Sequence, residues 1–290
     1  MTTGATLRRA ATLTGIGLFT GQPSTVILRP APSGTGLAFT LGTATFPASI
    51  DHLAHSPIPV FAHHPARHTC LAPPGGPPLA TVEHALSALV GMGITDATVE
   101  CFGPELPIFD GSSLRFVEQI RAVGSIPSES PDPSPITLDK PISIENEGAS
   151  ILISPRQAPG ISYTYRLAYP PPIGEQSAHW DGRPDTYAAD IAPARTFSLE
   201  HEARAMRSLG LFQSFTPRDM LVIGPEGPID NTLRYPDEPA RHKLLDLIGD
   251  LALAGPLMPR LQADIVATRS GHALAHAAAH ALQQHLNSRG

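Results

Sequence analysis

Residues 125–135 read Ser-Ile-Pro-Ser-Glu-Ser-Pro-Asp-Pro-Ser-Pro. Four prolines and four serines in 11 residues, with no periodic apolar pattern, make this segment a linker by composition. Each side of it shows a similar order of elements. Upstream, residues 6–50 read as strands and turns, and 51–80 as strands with a Pro-Gly loop at 72–78. A helix follows over Thr81–Gly93 with Thr81 as N-cap, then a strand over Ala97–Phe102 and a helix over Leu114–Val123, ended by Gly124. Downstream, strands occupy about 137–169. They are followed by a helix at about 198–209, a strand at Met220–Ile223 and a long helix at about Pro236–Ala254. A strand at Ala263–Thr268 and a terminal helix at about 272–287 complete the chain. Strands segregate from helices rather than alternating strictly, so the expected class is α+β. The expected organisation is two layered domains, 1–124 and 137–290, joined by 125–136, with no convincing sequence repeat between them.

Composition narrows the functions available. The chain has 290 residues, enough for one large or two ordinary domains. A net charge of −6 disfavours nucleic acid as the main partner, because phosphate binding needs a basic face. No apolar run approaches the roughly 18 residues of a membrane-spanning helix, so no stable membrane insertion is expected. The first 11 residues lack the apolar stretch and cleavage site of a secretory signal. Cys70 and Cys101 are the only cysteines, which is no disulfide framework, and a reducing cytoplasm is the expected location.

Three places carry candidate chemistry. In PDEPARHKLLDLIGDLALA, His242 and Asp246 lie one turn apart on one helix face and Asp250 continues the stripe. Such a pair can chelate a divalent metal or simply form a solvated face. Glu83-His84 opens an otherwise apolar helix, either as an exposed first turn favoured by the helix dipole or as a third ligand beside a general base. Three protein ligands with one open position are the arrangement of a catalytic zinc, which acidifies its water for an adjacent carboxylate to deprotonate. His272 follows Ser270-Gly271 at a helix start, well placed to face a cleft. His276 and His280 continue that helix without a nearby acid and read as its polar face. His52, His55, His63, His64 and His68 are irregularly spaced among prolines and read as loop residues, not ligands.

TVEHALSALVGMGI, PELPIFDGSSLRFV, APARTF, LRYPDEPARHKLLDLIGDLALAG and SGHAL occur in this order. Together with the opening LTGIGLFTG, they resemble the zinc-dependent UDP-3-O-acyl-N-acetylglucosamine deacetylases of lipid A biosynthesis. The resemblance covers about 7–124 and 190–282. It implies a two-domain α+β fold with the site in the cleft between the domains. It further implies hydrolysis of the N-acetyl group of UDP-3-O-(3-hydroxyacyl)-N-acetylglucosamine by a cytoplasmic monomer carrying one Zn²⁺.

Residue by residue, His84, His242 and Asp246 match the zinc ligands and Glu83 the general base. His272 matches the histidine that stabilises the oxyanion and protonates the leaving amine, and Asp250 the carboxylate that orients it. Thr196 matches a hydroxyl that helps hold the oxyanion, and Phe197 and Lys243 match residues near the substrate's sugar and polar groups. Segment 198–215, including Phe212, matches the region that lines the acyl-chain passage. Two departures bear on substrate detail. Phe19 stands where most members have His, and 212–219 lack a Gly-Gly-Ser. The alternatives are a paralogous zinc amidohydrolase acting on another N-acetylated amphiphile, and a non-catalytic paralogue. The intact set Glu83, His84, His242, Asp246 and His272 argues against the second of these.

Overall fold

The computed structural model describes residues 4–63, 67–128 and 134–288. Its N-terminal part is built on a five-stranded sheet. The strand order is Ala11–Ile16, Pro23–Pro30, Ala97–Phe102, Leu37–Leu41, Ala44–Pro47. All pairings are antiparallel except that of Leu37–Leu41 with Ala97–Phe102. Alternating burial along Ala11–Ile16 and Pro23–Pro30 gives one face to the core and one to solvent, as a period of two requires. Leu114–Val123 buries Phe116, Val117 and Ile120 in the same core as Leu13, Leu28, Phe39 and Val99.

The C-terminal part repeats this layering on a mixed sheet of order Ile142–Asn146, Ala149–Pro155, Leu261–Thr268, Ile161–Ala168, Glu175–Trp180. Leu261–Thr268 is the central strand, antiparallel to Ala149–Pro155 and parallel to Ile161–Ala168. Helices Glu238–Leu251 and His272–Asn287 pack on this sheet. The mixed α+β character matches the sequence reading. The linker is shorter than composition implies, because Ser125–Pro127 pairs antiparallel with Ala5–Leu7; residues 129–133 lie outside the described residues. Helix 198–209 also starts later. Phe197–Leu199 is a strand, parallel to Leu221–Gly224, and the helix runs Glu200–Ser208.

Thr81 does not cap its helix. It adopts φ +61° and gives its hydroxyl to Glu105 at 3.1 Å, so the helix begins at Glu83 after Val82. The buried Glu105 carboxylate also accepts the backbone N–H groups of Phe19 and Thr20 and the Thr20 hydroxyl. It thereby ties the LTGIGLFTG turn to the start of helix Glu83–Gly91.

Helix Glu83–Gly91 packs directly on helix Glu238–Leu251. A Cβ on Gly249 would lie 2.1 Å from the carbonyl oxygen of Glu83, and one on Gly91 would lie 2.3 Å from the ring of Tyr187. Gly249 sits inside a helix, where alanine is intrinsically better by about 1 kcal/mol. Helix propensity alone therefore makes Gly249→Ala stabilising, whereas the packing makes it destabilising, because the atom it meets is backbone. Overpacking of this kind typically costs about 1–3 kcal/mol. Urea denaturation is expected to show a net loss of stability, and an unchanged or raised midpoint would contradict the helix contact.

Candidate active site

The contact between the two helices places His84, from the first turn of one, against His242 and Asp246 of the other. All three are buried, so the stripe on Glu238–Leu251 is an interior face and not a solvated one. Asp246 Oδ1 lies 3.3 Å from His242 Nε2 and 3.6 Å from His84 Nε2, and the imidazoles meet edge to face at 5.1 Å between ring centroids. One ligand atom from each residue falls within 4.8 Å of the others. His242 Nδ1 lies 3.2 Å from the carbonyl of Ala194, which as donor there leaves the Nε2 lone pair facing the cluster. Burial lowers the His242 pKa to about 3, opposed by Asp246, so the ring is neutral as a ligand must be.

The donor set fits a divalent cation on a second ground. Asp246 Oδ1 is buried with no hydrogen-bond partner, a costly state for an ionised oxygen unless a cation faces it. Asp246 Oδ2 accepts from the Lys243 ammonium at 2.7 Å. Burial opposes both charges, yet His242 and Lys243 hold the Asp246 pKa well below the carboxylate range. Asp246 in turn holds Lys243 above the lysine range. Lys243 lines the cavity as the resemblance implies, but its ammonium is engaged with a candidate ligand.

Glu83 and His272 flank this cluster. The Glu83 carboxylate is buried and accepts the backbone N–H of Thr69 at 3.1 Å. Burial raises its pKa, and the His272 and His84 charges only partly oppose this. His272 Nδ1 donates to Asp250 Oδ2 at 2.7 Å, and its Nε2 lies 3.9 Å from Asp246 Oδ2. Burial alone lowers the His272 pKa, but the charge and hydrogen bond of Asp250, reinforced by Asp246 and Glu83, raise it to about 9. Asp250 thus outweighs the effect of burial on this imidazole.

Glu83, His84, His242, Lys243, Asp246 and His272 line one cavity of about 380 Å³ together with Thr196, Phe197, Phe19, Phe212, Arg67, Tyr169 and Arg269. A second cavity of about 290 Å³ shares Leu18, Thr196, Phe197, Ser198 and Phe212 with it and continues past Ala203, Phe215, Met220 and Leu221. Of the expected acyl-passage residues, Ala203, Phe212 and Phe215 line this apolar space and Met206 lines the first cavity. Leu211 packs in the small core beneath, and Leu209 is 47% exposed. Phe19 lies 5.5 Å from Phe212 between ring centroids, and Phe212 holds a left-handed φ of +58°.

Thr196 is positioned from both parts of the chain. Its backbone N–H donates to Gly111 at 2.7 Å. Its neighbour Arg195 is buried in a two-point ion pair with Glu238, at 2.8 and 3.1 Å. Gly111 is required here, since a Cβ would lie 2.9 Å from the Thr196 methyl group. That gives Asp110-Gly111-Ser112, within PELPIFDGSSLRFV, a structural role. Its acid binds Arg234 and Ser112, and its glycine carbonyl docks Thr196.

His276 corrects the sequence reading. Its Nε2 lies 2.8 Å from the Thr69 hydroxyl and 3.7 Å from Asp250, so an acid is near, on another helix. His52 and His68 are bound to Ala72 and Ser56, and neither belongs to a candidate metal cluster; His64 lies outside the described residues. Thr69 and Arg67 carry no sequence signal of their own, because their segment lacks apolar periodicity.

Two histidines and a carboxylate with convergent ligand atoms, beside a buried carboxylate and a carboxylate-paired imidazole, form a candidate hydrolase site able to hold a divalent cation. The chain belongs to the UDP-3-O-acyl N-acetylglycosamine deacetylase family, whose profile matches residues 4–284. It is similar to the UDP-3-O-acyl-N-acetylglucosamine deacetylase of Synechocystis, with 35% identity over 93% of this chain and 95% of that protein. The corresponding protein of Thermosynechococcus vestitus is 37% identical over 98% of this chain and 95% of its own length. That of Solibacter usitatus is 37% identical, over 94% and 88%. Among the described residues, no helix is long and apolar enough to cross a membrane.

The His272–Asp250 pair has a pH signature. Its folded-state pKa of about 9 lies above the unfolded value of about 6.5, so its stabilising contribution is complete below pH 6.5 and is lost as pH rises through 9. In Asp250→Asn, burial acts unopposed by that charge and the His272 pKa falls. An NMR titration of the His272 ring measures this, and an unshifted midpoint would remove Asp250 as the cause.

Proposed function

We propose that this chain hydrolyses the 2-acetamido group of UDP-3-O-(3-hydroxyacyl)-N-acetylglucosamine, releasing acetate and leaving the free amine, the committed step of lipid A biosynthesis. We further propose that it works as a cytoplasmic monomer with one zinc ion, from two domains divided at the linker. The observation that carries the reading is a single cavity wall. It holds three convergent ligand atoms, a buried carboxylate and a carboxylate-paired imidazole, beside a second, apolar cavity.

His84 Nε2, His242 Nε2 and Asp246 Oδ1 are the atoms that would hold the ion. When bound, zinc supplies Lewis acidity that polarises the amide carbonyl and makes water easier to deprotonate. Glu83 takes a proton from the attacking water, and burial moves its pKa upward, towards working pH, as a general base requires. The Thr196 hydroxyl donates to the carbonyl oxygen as negative charge develops there. His272, protonated at its raised pKa and held through Nδ1 by Asp250, delivers the Nε2 proton to the departing nitrogen. The water oxygen is then bonded to carbon, the C–N bond is broken, and acetate and amine separate. Phe197 and Lys243 border the sugar, and Phe212 borders the acyl chain.

Purified protein is expected to carry about one zinc per chain, to lose activity on chelation and to recover it with zinc. His242→Ala is expected to lose the metal. Glu83→Gln is expected to keep it and lose about 10²–10⁴-fold in kcat, the usual contribution of a general base. Full zinc and full activity in His242→Ala would overturn the ligand assignment.

A substrate series tests the apolar cavity. Each pair of methylenes removed from the 3-O-acyl chain is expected to lower kcat/KM roughly tenfold, since one buried methylene contributes about 0.8 kcal/mol. Equal turnover of unacylated UDP-N-acetylglucosamine would exclude the acylated substrate and favour the paralogue reading.

A further inference from the structure

Thr69 touches both halves of the catalytic machinery at once. Its backbone N–H donates to Glu83 Oε2 at 3.1 Å. Its hydroxyl donates to Asp250 Oδ1 at 2.6 Å, the oxygen that His272 leaves unused. The hydroxyl has one proton, and it is spent on Asp250. The contact with His276 at 2.8 Å is therefore one in which His276 Nε2–H donates to the Thr69 oxygen. The resulting chain runs His276 Nε2–H to Thr69 Oγ, Thr69 Oγ–H to Asp250 Oδ1, and His272 Nδ1–H to Asp250 Oδ2. Thr69 is fully buried, and its own carbonyl accepts from Val82 just before helix Glu83–Gly91, so its backbone is pinned against the helix that carries the base.

We infer that Thr69 and His276 are positioning residues for the reaction: Thr69 sets the acid arm, Asp250 and His272, at a fixed distance from Glu83, and His276 fixes the rotamer of Thr69. The physical reason is the geometry of a carboxylate. With only His272 bound, Asp250 is free to rotate about its Cβ–Cγ bond, and the imidazole turns with it. A second hydrogen bond to the other oxygen locks the carboxylate plane, and with it the direction of His272 Nε2. Anchoring comes from the N-terminal part of the chain, so the same residue that receives the base also registers the acid across the cleft. Displacing a reacting group by about 1 Å costs on the order of 10²-fold in rate, so loss of this lock reads as a rate effect.

The inference rests on the deacetylase reading, and the experiment separates the two. Zinc-loaded wild type, Thr69→Val, Thr69→Ser, His276→Leu and Thr69→Val/His276→Leu are compared in kcat, KM, zinc content and thermal midpoint. The downfield Nδ1–H proton resonance of His272, assigned by its loss in His272→Ala, is recorded in parallel. Thr69→Val keeps the shape and the backbone N–H to Glu83 while removing the hydroxyl. It is expected to lower kcat by about 10- to 100-fold at unchanged KM and zinc content, and to shift or broaden the His272 resonance. Thr69→Ser is expected to recover activity to within about threefold. His276→Leu is expected to show a smaller loss of the same kind, and the double variant to be no worse than Thr69→Val, because one chain is broken once or twice. Wild-type kcat in Thr69→Val or multiplicative losses in the double variant would overturn the positioning role, as would an unmoved His272 resonance. If Thr69→Val does not fold, His276→Leu carries the same kcat and resonance test. An inactive wild type refutes the substrate reading, while the resonance still decides whether Thr69 and His276 hold the dyad.

Discussion

Helix Glu83–Gly91 approaches helix Glu238–Leu251 so closely that residue 249 has no room for a side chain, and the rest of the site depends on that approach. His84 comes from one helix and His242 with Asp246 from the other, so the three candidate ligand atoms converge only when the helix axes lie near contact distance. The same approach buries Glu83 at the start of its helix and brings Thr69 within reach of Asp250. Several lesser devices hold the approach in place. Ser113 donates to the carbonyl of His84, Gly111 receives the backbone of Thr196, and Arg195 pairs with Glu238 at the start of the second helix.

Bringing these groups together costs desolvation, and the structure meets the cost by pairing. Asp250 receives Thr69 and His272, Asp246 receives Lys243, and Glu238 receives Arg195 together with the backbone of Arg234. Asp246 Oδ1 is the exception, buried without a partner, and it is the oxygen that faces the His84 and His242 imidazoles. A protein interior tolerates few such atoms, which is why this one points to a cation. The pKa directions follow from the same pattern. Burial alone makes Glu83 a weaker acid, whereas His272 is made a weaker acid by its carboxylate in spite of burial. The two groups are thereby suited to opposite proton-transfer roles.

The apolar cavity beside the site is shaped in part by a residue in an unusual conformation. Phe212 sits at positive φ, a costly state for a bulky side chain. Its ring meets Phe19, which in turn packs on Phe61 and His68. Phe19 is held by Glu105 through its backbone, so the aromatic wall is anchored to the strap that leads into helix Glu83–Gly91. Phe19 thus lines the first cavity and packs on Phe212, a ring that both cavities share.

Local pattern determined much of this protein. Helical spacing alone placed Leu114–Val123 and His272–Asn287, β-rich composition placed Ala97–Phe102, and the order of elements around a Pro/Ser-rich segment indicated α+β layers. The stripe His242, Asp246, Asp250 was legible because helix periodicity is a local property. Whether that stripe faced water or a metal was not legible, because burial is decided by what packs against it. His276 was misread for the same reason: its acid is 26 positions away in sequence and adjacent only in space. Thr69 carried no local signal at all, since a threonine before a two-residue strand has no periodicity to betray it. Hydrogen bonds across the cleft, the orphaned oxygen of Asp246 and the rise of the His272 pKa all depend on distances between segments far apart in the chain, and only the tertiary structure sets those.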